Sequence, residues 1–389
     1  MTDPRVLVAH NRYRSHGGEE RAVDLQVAAL RRAGVPHTTF FRDSADTGKA
    51  RAAAALIRGG EEPDELRAVL GESAAQIVHV HNMHPLLGSR ALAAAKDDGA
   101  RVVMHLHNFR LFCAIGVCFR LGKPCFRCHG RWTAPGVALN CRGSLPEAVS
   151  YAYALSAHQP EVFASVDRFV TPSEYAARQL EKLGLPAGCT DVVPHYIGAS
   201  AFADRSHADR GEFALAFGRL SAEKGFDVAV DAAAIAGVPL RIAGEGPVER
   251  DLARRIERER APVELCGKVA PDGLRDLLRR AALVVVPTTG NETFGFAALE
   301  AMAAGVPVVA ARSGALPEIA GDDACVPRGD ALATGARMRE LWSDPARRVD
   351  EGDAGIARAR ERFSEERYVR GLLALYASVL SAQPAVAAR

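Results

Sequence analysis

Along the chain, short runs of apolar and often β-branched residues alternate with longer stretches whose apolar positions recur at helical spacing. In the first half, residues 5–10, 37–41, 77–81, 101–105, 168–171 and 191–194 read as strands. Between them, residues 20–32 gather Ala22, Leu25, Ala28 and Leu30 near one face, and residues 173–183 open with Ser173 and Glu174, a capping-type start. The polar stretch 200–211 reads as a linker. The alternation then restarts with strands at 213–217, 240–243, 263–266, 283–286 and 307–310, with helical patterns between them and one around 297–304. A last helical pattern spans 364–380, and 381–389 reads as a frayed tail. Near-continuous apolar strands separated by helices predict parallel sheets covered on both faces. The expected fold is therefore α/β, with two doubly wound, Rossmann-like domains whose strand carboxyl ends face a central cleft, where ligands of open α/β sheets bind. The expected boundaries are 1–205 for the first domain and 206–362 for the second, with 363–389 as a carboxyl-terminal helix and tail that could cross back to the first.

Composition narrows the class without naming the chemistry. The 389 residues carry a net charge of +2 and are 48% hydrophobic and 25% charged, which excludes disorder and argues against a dedicated nucleic-acid binder. No apolar run reaches the roughly 18 residues of a membrane span, and the start of the chain leads directly into a strand-like Val6-Leu7-Val8-Ala9, so neither signal peptide nor spanning helix is expected. A cytoplasmic protein is expected.

The most informative segment is 287–309. An apolar strand ends at Pro287, a loop with Gly290 and Asn291 follows, and Gly295-Phe296 leads into an alanine-rich helix. The open N–H groups near Thr293, Phe294, Gly295 and Phe296 would suit a phosphate. Glu292 precedes this helix and Glu300 lies inside it; helical geometry would put them about 12 Å apart, too far for a glycosidase carboxylate pair. Separate tasks fit better, one carboxylate on a sugar and the other on a ribose diol. Taken alone, Arg219 and Lys224 read equally as two surface cations flanking a turn or as a grip on a diphosphate, the first a bidentate fork and the second a point charge. Gly17 and Gly18, before the first helix, would let backbone approach a ligand and equally suit an ordinary turn.

Glu292-Thr293-Phe294-Gly295, Leu299-Glu300-Ala301-Met302-Ala303 and Gly305-Val306-Pro307-Val308-Val309 together resemble the signature of the retaining glycosyltransferases of family 4. Phe217-Gly218-Arg219-Leu220 with Glu223-Lys224-Gly225 resembles that family's diphosphate segment, Gly244-Glu245-Gly246-Pro247 its nucleotide loop, and Leu316-Pro317-Glu318 the element after the signature. The motifs occur in the family's order, and the resemblance covers nearly the whole chain. It implies the GT-B architecture, an acceptor domain followed by a donor domain, a nucleotide-diphosphate sugar as co-substrate, and retention of anomeric configuration. It also places Gly17 and Gly18 beside donor phosphate and acceptor, and His107 at the donor sugar and reacting centre. Asn108 stands where the family often has Asp, and Val193-Pro194-His195-Tyr196 departs from its frequent Pro-Asn-Gly form. The other histidines near strand ends, His79, His81, His84 and His105, read as core residues.

Of the eight cysteines, Cys113, Cys118, Cys125, Cys128 and Cys141 crowd into an insertion at about 108–145 that resembles a subgroup of the family. Cys125 and Cys128, flanked by Cys113 and Cys141, could close a tetrahedral structural zinc site; reduced buried thiols and a disulfide or redox pair are the other readings. The insertion also mixes Leu111, Phe112, Ile115, Val117, Phe119, Phe126 and Trp132 with Arg110, Arg120, Lys123, Arg127 and Arg131. This suits either a peripheral membrane contact or a basic rim over a small core.

The sequence thus points to a metal-independent retaining glycosyltransferase acting on a glycan, lipid-linked or small-molecule hydroxyl in bacterial glycan, glycolipid or natural-product biosynthesis. A nucleotide-sugar epimerase and a non-catalytic, zinc-pinned scaffold are the rivals. Nucleoside diphosphate release separates the three: a transferase needs acceptor for it, an epimerase does not, and a scaffold releases none.

Overall fold

The computed structural model describes residues 4–13 and 17–382; residues 1–3 and most of the expected tail lie outside that range. The chain forms two compact units. The first holds residues up to 117, 126–195 and 366 onward; the second holds 118–125 and 196–365.

The strands, in chain order, are β1 (Val6–Arg12), β2 (His37–Asp43), β3 (Ile77–Val80), β4 (Arg101–His105), β5 (Phe119–Arg120), β6 (Lys123–Pro124), β7 (Arg168–Thr171) and β8 (Thr190–Val192). They continue with β9 (Phe213–Phe217), β10 (Leu240–Ala243), β11 (Val263–Gly267), β12 (Ala281–Val286), β13 (Val308–Ala311) and β14 (Cys325–Val326). The first unit has a six-stranded sheet in the order β2-β1-β3-β4-β7-β8, and the second a six-stranded sheet in the order β11-β10-β9-β12-β13-β14. Every pairing in both sheets is parallel. Two doubly wound α/β units are what the alternating pattern predicts.

In the second unit the sheet is buried on both sides. Ala214, Ala216, Leu283 and Val285 face Ala229, Val230 and Ala233 of the helix Phe226–Ala236, together with Met338 and Leu341 of the helix Ala331–Ser343. Leu215, Val284 and Val286 face Leu299 and Met302 of the helix Phe296–Ala303, with Ala359 and Phe363 behind them. This explains why β12 reads Ala-Ala-Leu-Val-Val-Val without a polar position. Helix starts follow their caps: Ser173 accepts from Ala176 N–H, Asp330 from Ala333 and Asp344 from Arg347, each cap contributing about 1 kcal/mol.

Two details differ from the sequence reading. Residues 200–211 are docked on the second unit: Ser206 Oγ donates to the Gly305 carbonyl, and the buried Arg348 guanidinium donates to the carbonyls of Ala208 and Asp209. Arginine saturates a loop's carbonyls here, so polarity in sequence did not mean looseness. The insertion at 108–145 is divided, because the hairpin β5-β6 groups with the second unit, where Asn291 Nδ2 donates to the Cys118 carbonyl at 2.8 Å. The helix Glu365–Ser381 groups with the first unit from residue 366. Tyr368 hydroxyl donates to Gln26 Oε1 at 2.8 Å, and Gln26 Nε2 donates to Tyr376 hydroxyl at 3.3 Å.

The first sheet carries an unusual polar layer. His79 lies opposite Val103 in the β3-β4 register, which brings His81 level with His105 and sets His79, His81, His105 and His107 on one face by the two-residue period of a strand. Their rings stack: His105 and His107 centroids are 4.3 Å apart, and His195 lies 5.1 Å from His107. Burial pushes all five imidazoles below their ordinary pKa, His105 to about 3. His84 sits nearby and is also pushed down to about 3, first by burial and then by the charges of Arg110 and His158.

A histidine kept neutral in the fold but free to protonate when unfolded destabilises on acidification. The unfolded chain takes the proton first as pH drops below about 6.5, so the stability present above that pH is lost as pH falls toward the folded value near 3. The thermal midpoint is therefore expected to fall between pH 7 and pH 5. In His84→Gln the fall should be shallower, by at most about 1.4 kcal/mol per pH unit. Superimposable pH profiles for the two proteins would refute this role for His84.

Candidate functional site

In the second unit the predicted ligand-binding residues lie on loops that leave the carboxyl ends of neighbouring strands. β9 runs into the loop with Arg219 and Lys224, β10 into Gly244 and Gly246, and β12 into Glu292 and the helix Phe296–Ala303.

Glycine makes this assembly possible. A Cβ on Gly244 would lie 1.9 Å from the Gly218 carbonyl oxygen, and one on Gly246 would lie 2.2 Å from that of Leu220. Gly244 also has φ of 152°. The backbone of this loop can therefore lie against the 218–220 loop only without side chains, and Leu220 N–H donates to the Glu245 carbonyl at 2.9 Å to fix it there. The loop after β12 is fastened in the same manner. Thr289 and Gly290 N–H groups donate to the Glu223 carbonyl, and Ala315 N–H donates to the Glu292 carbonyl at 2.8 Å. Gly314, with φ of 60°, would clash with that same carbonyl at 2.0 Å if it carried a Cβ.

Held at its backbone, Glu292 directs its carboxylate to Lys224, with Oε2 2.8 Å from Nζ, and Thr288 hydroxyl donates to the same oxygen at 3.3 Å. The Glu292 side chain is 13% exposed and that of Lys224 32%, so the pair stands at the edge of solvent. Arg219 is exposed and pairs with Glu223 Oε1 at 2.7 Å, an oxygen that also accepts from Ser221 hydroxyl at 2.6 Å. Sequence reasoning grouped Arg219 with Lys224 and Glu292 with Glu300; the structure instead pairs each cation with a carboxylate. Glu223 and Thr288 were not foreseen. The only hint of Glu223 was its place directly before Lys224 in the motif.

At the helix start, Gly295 has φ of 105° and caps the helix Phe296–Ala303, while Ala298 and Leu299 N–H groups already donate to the Gly295 carbonyl. The N–H groups around 295–297 thus belong to the first turn, where helix geometry provides no carbonyl within the helix to receive them. Thr293 and Phe296 are half-buried beside it. Phe294 is buried against Phe296 and Phe363, with ring centroids at 5.2 and 5.8 Å, so its side chain belongs to the core and it can offer a ligand only backbone. Glu300 is half-buried one turn further along, and its carbonyl accepts from Ala304 N–H.

In the first unit, His107 follows the end of β4. Its Nε2 meets His81 Nδ1 at 2.7 Å and its Nδ1 meets His195 Nε2 at 3.3 Å. Both ring nitrogens are engaged by neutral imidazoles, which disfavours an imidazolium acting as general acid. Gly17 is the N-cap of the helix Gly18–Arg32, and a Cβ there would meet nothing within 4 Å, so packing does not require the glycine. The first helical turn supplies instead a polar cluster missed in sequence. Glu19 Oε2 accepts from Tyr13 hydroxyl at 2.9 Å and from Asn108 Nδ2 at 2.8 Å, and the Arg110 guanidinium lies over the Tyr13 ring at 4.9 Å. Burial raises the Glu19 carboxyl against the lowering effect of Arg110. Asn108, which stands where the family often has Asp, thus serves Glu19.

Each of the eight cysteines stands as a thiol rather than in a disulfide. Among the described residues, the sets of three or more metal-ligating side chains whose ligand atoms all lie within 4.8 Å of one another are His79, His81 and His105, and His105, His107 and His195. Cys113, Cys128 and Cys141, all in the first unit, form no such set.

Two family models match the chain. One, described as a glycosyl transferase 4-like domain, covers residues 17–195, and the other, described as glycosyl transferases group 1, covers 212–344. Among curated relatives, a GDP-mannose-dependent alpha-(1-6)-phosphatidylinositol dimannoside mannosyltransferase of Mycobacterium tuberculosis is 34% identical over 204 residues, 47% of this chain and 51% of that protein. A D-inositol 3-phosphate glycosyltransferase of Segniliparus rotundus is 30% identical over 285 residues, 67% of this chain and 62% of that one. The chain thus spans about half to three-fifths of the length of these relatives. Among solved structures, sucrose-phosphate synthase from Thermosynechococcus elongatus superposes with a TM-score of 0.71 at 19% identity, covering 98% of this chain and 100% of that one. HepE of Anabaena in complex with UDP superposes with a TM-score of 0.65 at 17% identity, covering 96% and 100%. These likenesses show the GT-B fold, and with both domain models matched in order the chain belongs to the family 4-like, group 1 glycosyltransferases that its motifs resemble.

Proposed function

We propose that this chain transfers a sugar from a nucleotide-diphosphate sugar to an acceptor hydroxyl, with retention of anomeric configuration and without a catalytic divalent metal. The Lys224–Glu292 pair carries the reading: a cation and a carboxylate, 2.8 Å apart, on loops fastened by glycines and, for Glu292, just before the start of a helix. A diphosphate competes with Glu292 for Lys224. As Lys224 turns to the β-phosphate, Glu292 is released to accept hydrogen bonds from the donor-sugar hydroxyls, so one event binds the leaving group and frees the residue that positions the sugar. Arg219 and the N–H groups at 295–297 add positive potential where charge grows on the departing diphosphate. Glu300 holds the ribose, and Gly244 and Gly246 leave room for the nucleotide.

The acceptor hydroxyl attacks on the face from which the diphosphate departs. The diphosphate takes its proton through a short-lived oxocarbenium pair, and no protein nucleophile is needed. In the first unit, Gly17, Gly18 and the Glu19–Asn108–Arg110 cluster are assigned to the acceptor, and His107 to the reacting sugar on the strength of the family resemblance. The names of the relatives make inositol-containing acceptors the first to try, and those names describe transferases, not an epimerase. A structural zinc on Cys113, Cys125, Cys128 and Cys141 is supported by the C-x-x-C spacing alone, and no step above passes through it.

A cytoplasmic protein that meets the membrane surface is the matching location. Among the described residues no helix is long and apolar enough to cross a membrane. On the helix Leu145–Ala157, Leu145, Val149 and Tyr153 are exposed at four-residue spacing, with exposed Trp132 on the preceding segment. Such a stripe suits a lipid interface.

Glu292→Gln should lower kcat by at least about 100-fold, the scale seen when one charge-positioning group is removed, while the melting temperature changes little; unchanged turnover would sink the assignment. Adding Mg²⁺ or Mn²⁺ after exhaustive EDTA dialysis should leave the transfer rate as it was, and metal-dependent restoration would overturn metal independence. Leu145→Ser with Val149→Ser should reduce sedimentation with anionic liposomes; equal sedimentation of variant and parent would remove the membrane contact.

A further inference from the structure

The histidine layer of the first sheet leaves more nitrogens unmet than a core polar cluster should. His79 Nε2, His81 Nε2 and both nitrogens of His105 are buried without a hydrogen-bond partner, on side chains whose residues are 0%, 3% and 1% exposed. Buried polar atoms are normally satisfied, and a concentration of exceptions calls for a ligand. The opposite nitrogens of two of these rings do have partners. His79 Nδ1 lies 2.8 Å from Tyr376 hydroxyl, and His81 Nδ1 lies 2.7 Å from His107 Nε2.

When each Nδ1 carries the proton and donates it to that partner, both Nε2 atoms present lone pairs to the interior. This is the usual arrangement of a metal-ligating histidine, whose second nitrogen is held by an outer partner. A third lone pair comes from His105, and a nitrogen from each of the three lies within 4.8 Å of the others.

We propose that His79, His81 and His105 bind one borderline transition-metal ion of the zinc class in the interior of the first unit, as a structural site. Three imidazoles with no carboxylate among them select zinc, copper or nickel over magnesium or calcium. Zinc–nitrogen bonds of about 2.0–2.1 Å would draw the three nitrogens to roughly 3.3 Å from one another, a contraction that requires the stacked imidazoles to turn toward one another on β3 and β4. The ion would tie β3 to β4 and, through Tyr376, to the carboxyl-terminal helix. It would also fix the tautomer of His81, whose Nδ1 proton goes to His107 Nε2 and so places the His107 proton on Nδ1, toward His195; the bearing of this on a donor sugar rests on the assignment of His107 above, whereas the site itself does not.

The test uses the full chain, equilibrated with one equivalent of zinc and freed of loosely held metal by gel filtration. Bound metal is measured by mass spectrometry of the acidified protein, and its ligands by zinc-edge X-ray absorption. About one zinc per chain is expected in Cys125→Ser/Cys128→Ser, with a nitrogen and oxygen shell free of sulfur, and His105→Gln should weaken its binding at least tenfold. If His105→Gln does not fold, the absorption spectrum of the cysteine variant decides alone. Zinc absent from that variant, or an affinity untouched in folded His105→Gln, would overturn the proposal. Either result leaves the transferase reading intact, because donor turnover is measured separately.

Discussion

The Lys224–Glu292 ion pair joins the loops after β9 and β12, two strands that are neighbours in the second sheet, and the loops around it are built to keep its two charges in place. Gly225 would strike the Pro287 carbonyl with a Cβ at 2.2 Å, and Gly314 would strike that of Glu292. The backbone thus approaches more closely than side chains permit, and the carboxylate is fixed before any ligand arrives. An ion pair this close to solvent adds little to stability. Its value lies in preorganisation, because a cation whose resting partner is a carboxylate can exchange that partner for phosphate without desolvating a bare charge.

The two α/β units were legible in the sequence because buried parallel strands leave near-continuous apolar runs, as in β12, and because Ser173 marks the start of its helix in the expected way. Boundaries were less legible. Residues 200–211 look like a linker by polarity, yet Arg348 and Ser206 bind them to the second unit through carbonyls that no sequence pattern displays. The divided insertion escaped notice for a similar reason, since one Asn291 side chain on a distant loop meets the backbone of Cys118.

Within the candidate site, motif order singled out loops that the second sheet brings side by side, but not the partners of their side chains. Lys224 and Glu292 are 68 positions apart, and only the adjacency of β9 and β12 brings them together. Phe294 shows the converse: a motif residue need not be a contact residue, and its ring fills the core beneath the loop. The histidine layer could have been read further. His79 and His81, like His105 and His107, share a strand face by spacing alone, but the register that stacks one pair on the other belongs to the sheet. The same holds for Tyr376, which reaches His79 from nearly three hundred residues away.

In the proposed mechanism, donor diphosphate takes Lys224 from Glu292. Calorimetric titration of nucleoside diphosphate and of the matching nucleotide sugar into parent and Glu292→Gln protein measures that exchange directly. The variant is expected to bind the nucleoside diphosphate at least as tightly as the parent, because the competing carboxylate is gone, while the added affinity contributed by the sugar disappears. Weakened binding of the nucleoside diphosphate itself in Glu292→Gln, or an undiminished sugar contribution, would contradict it.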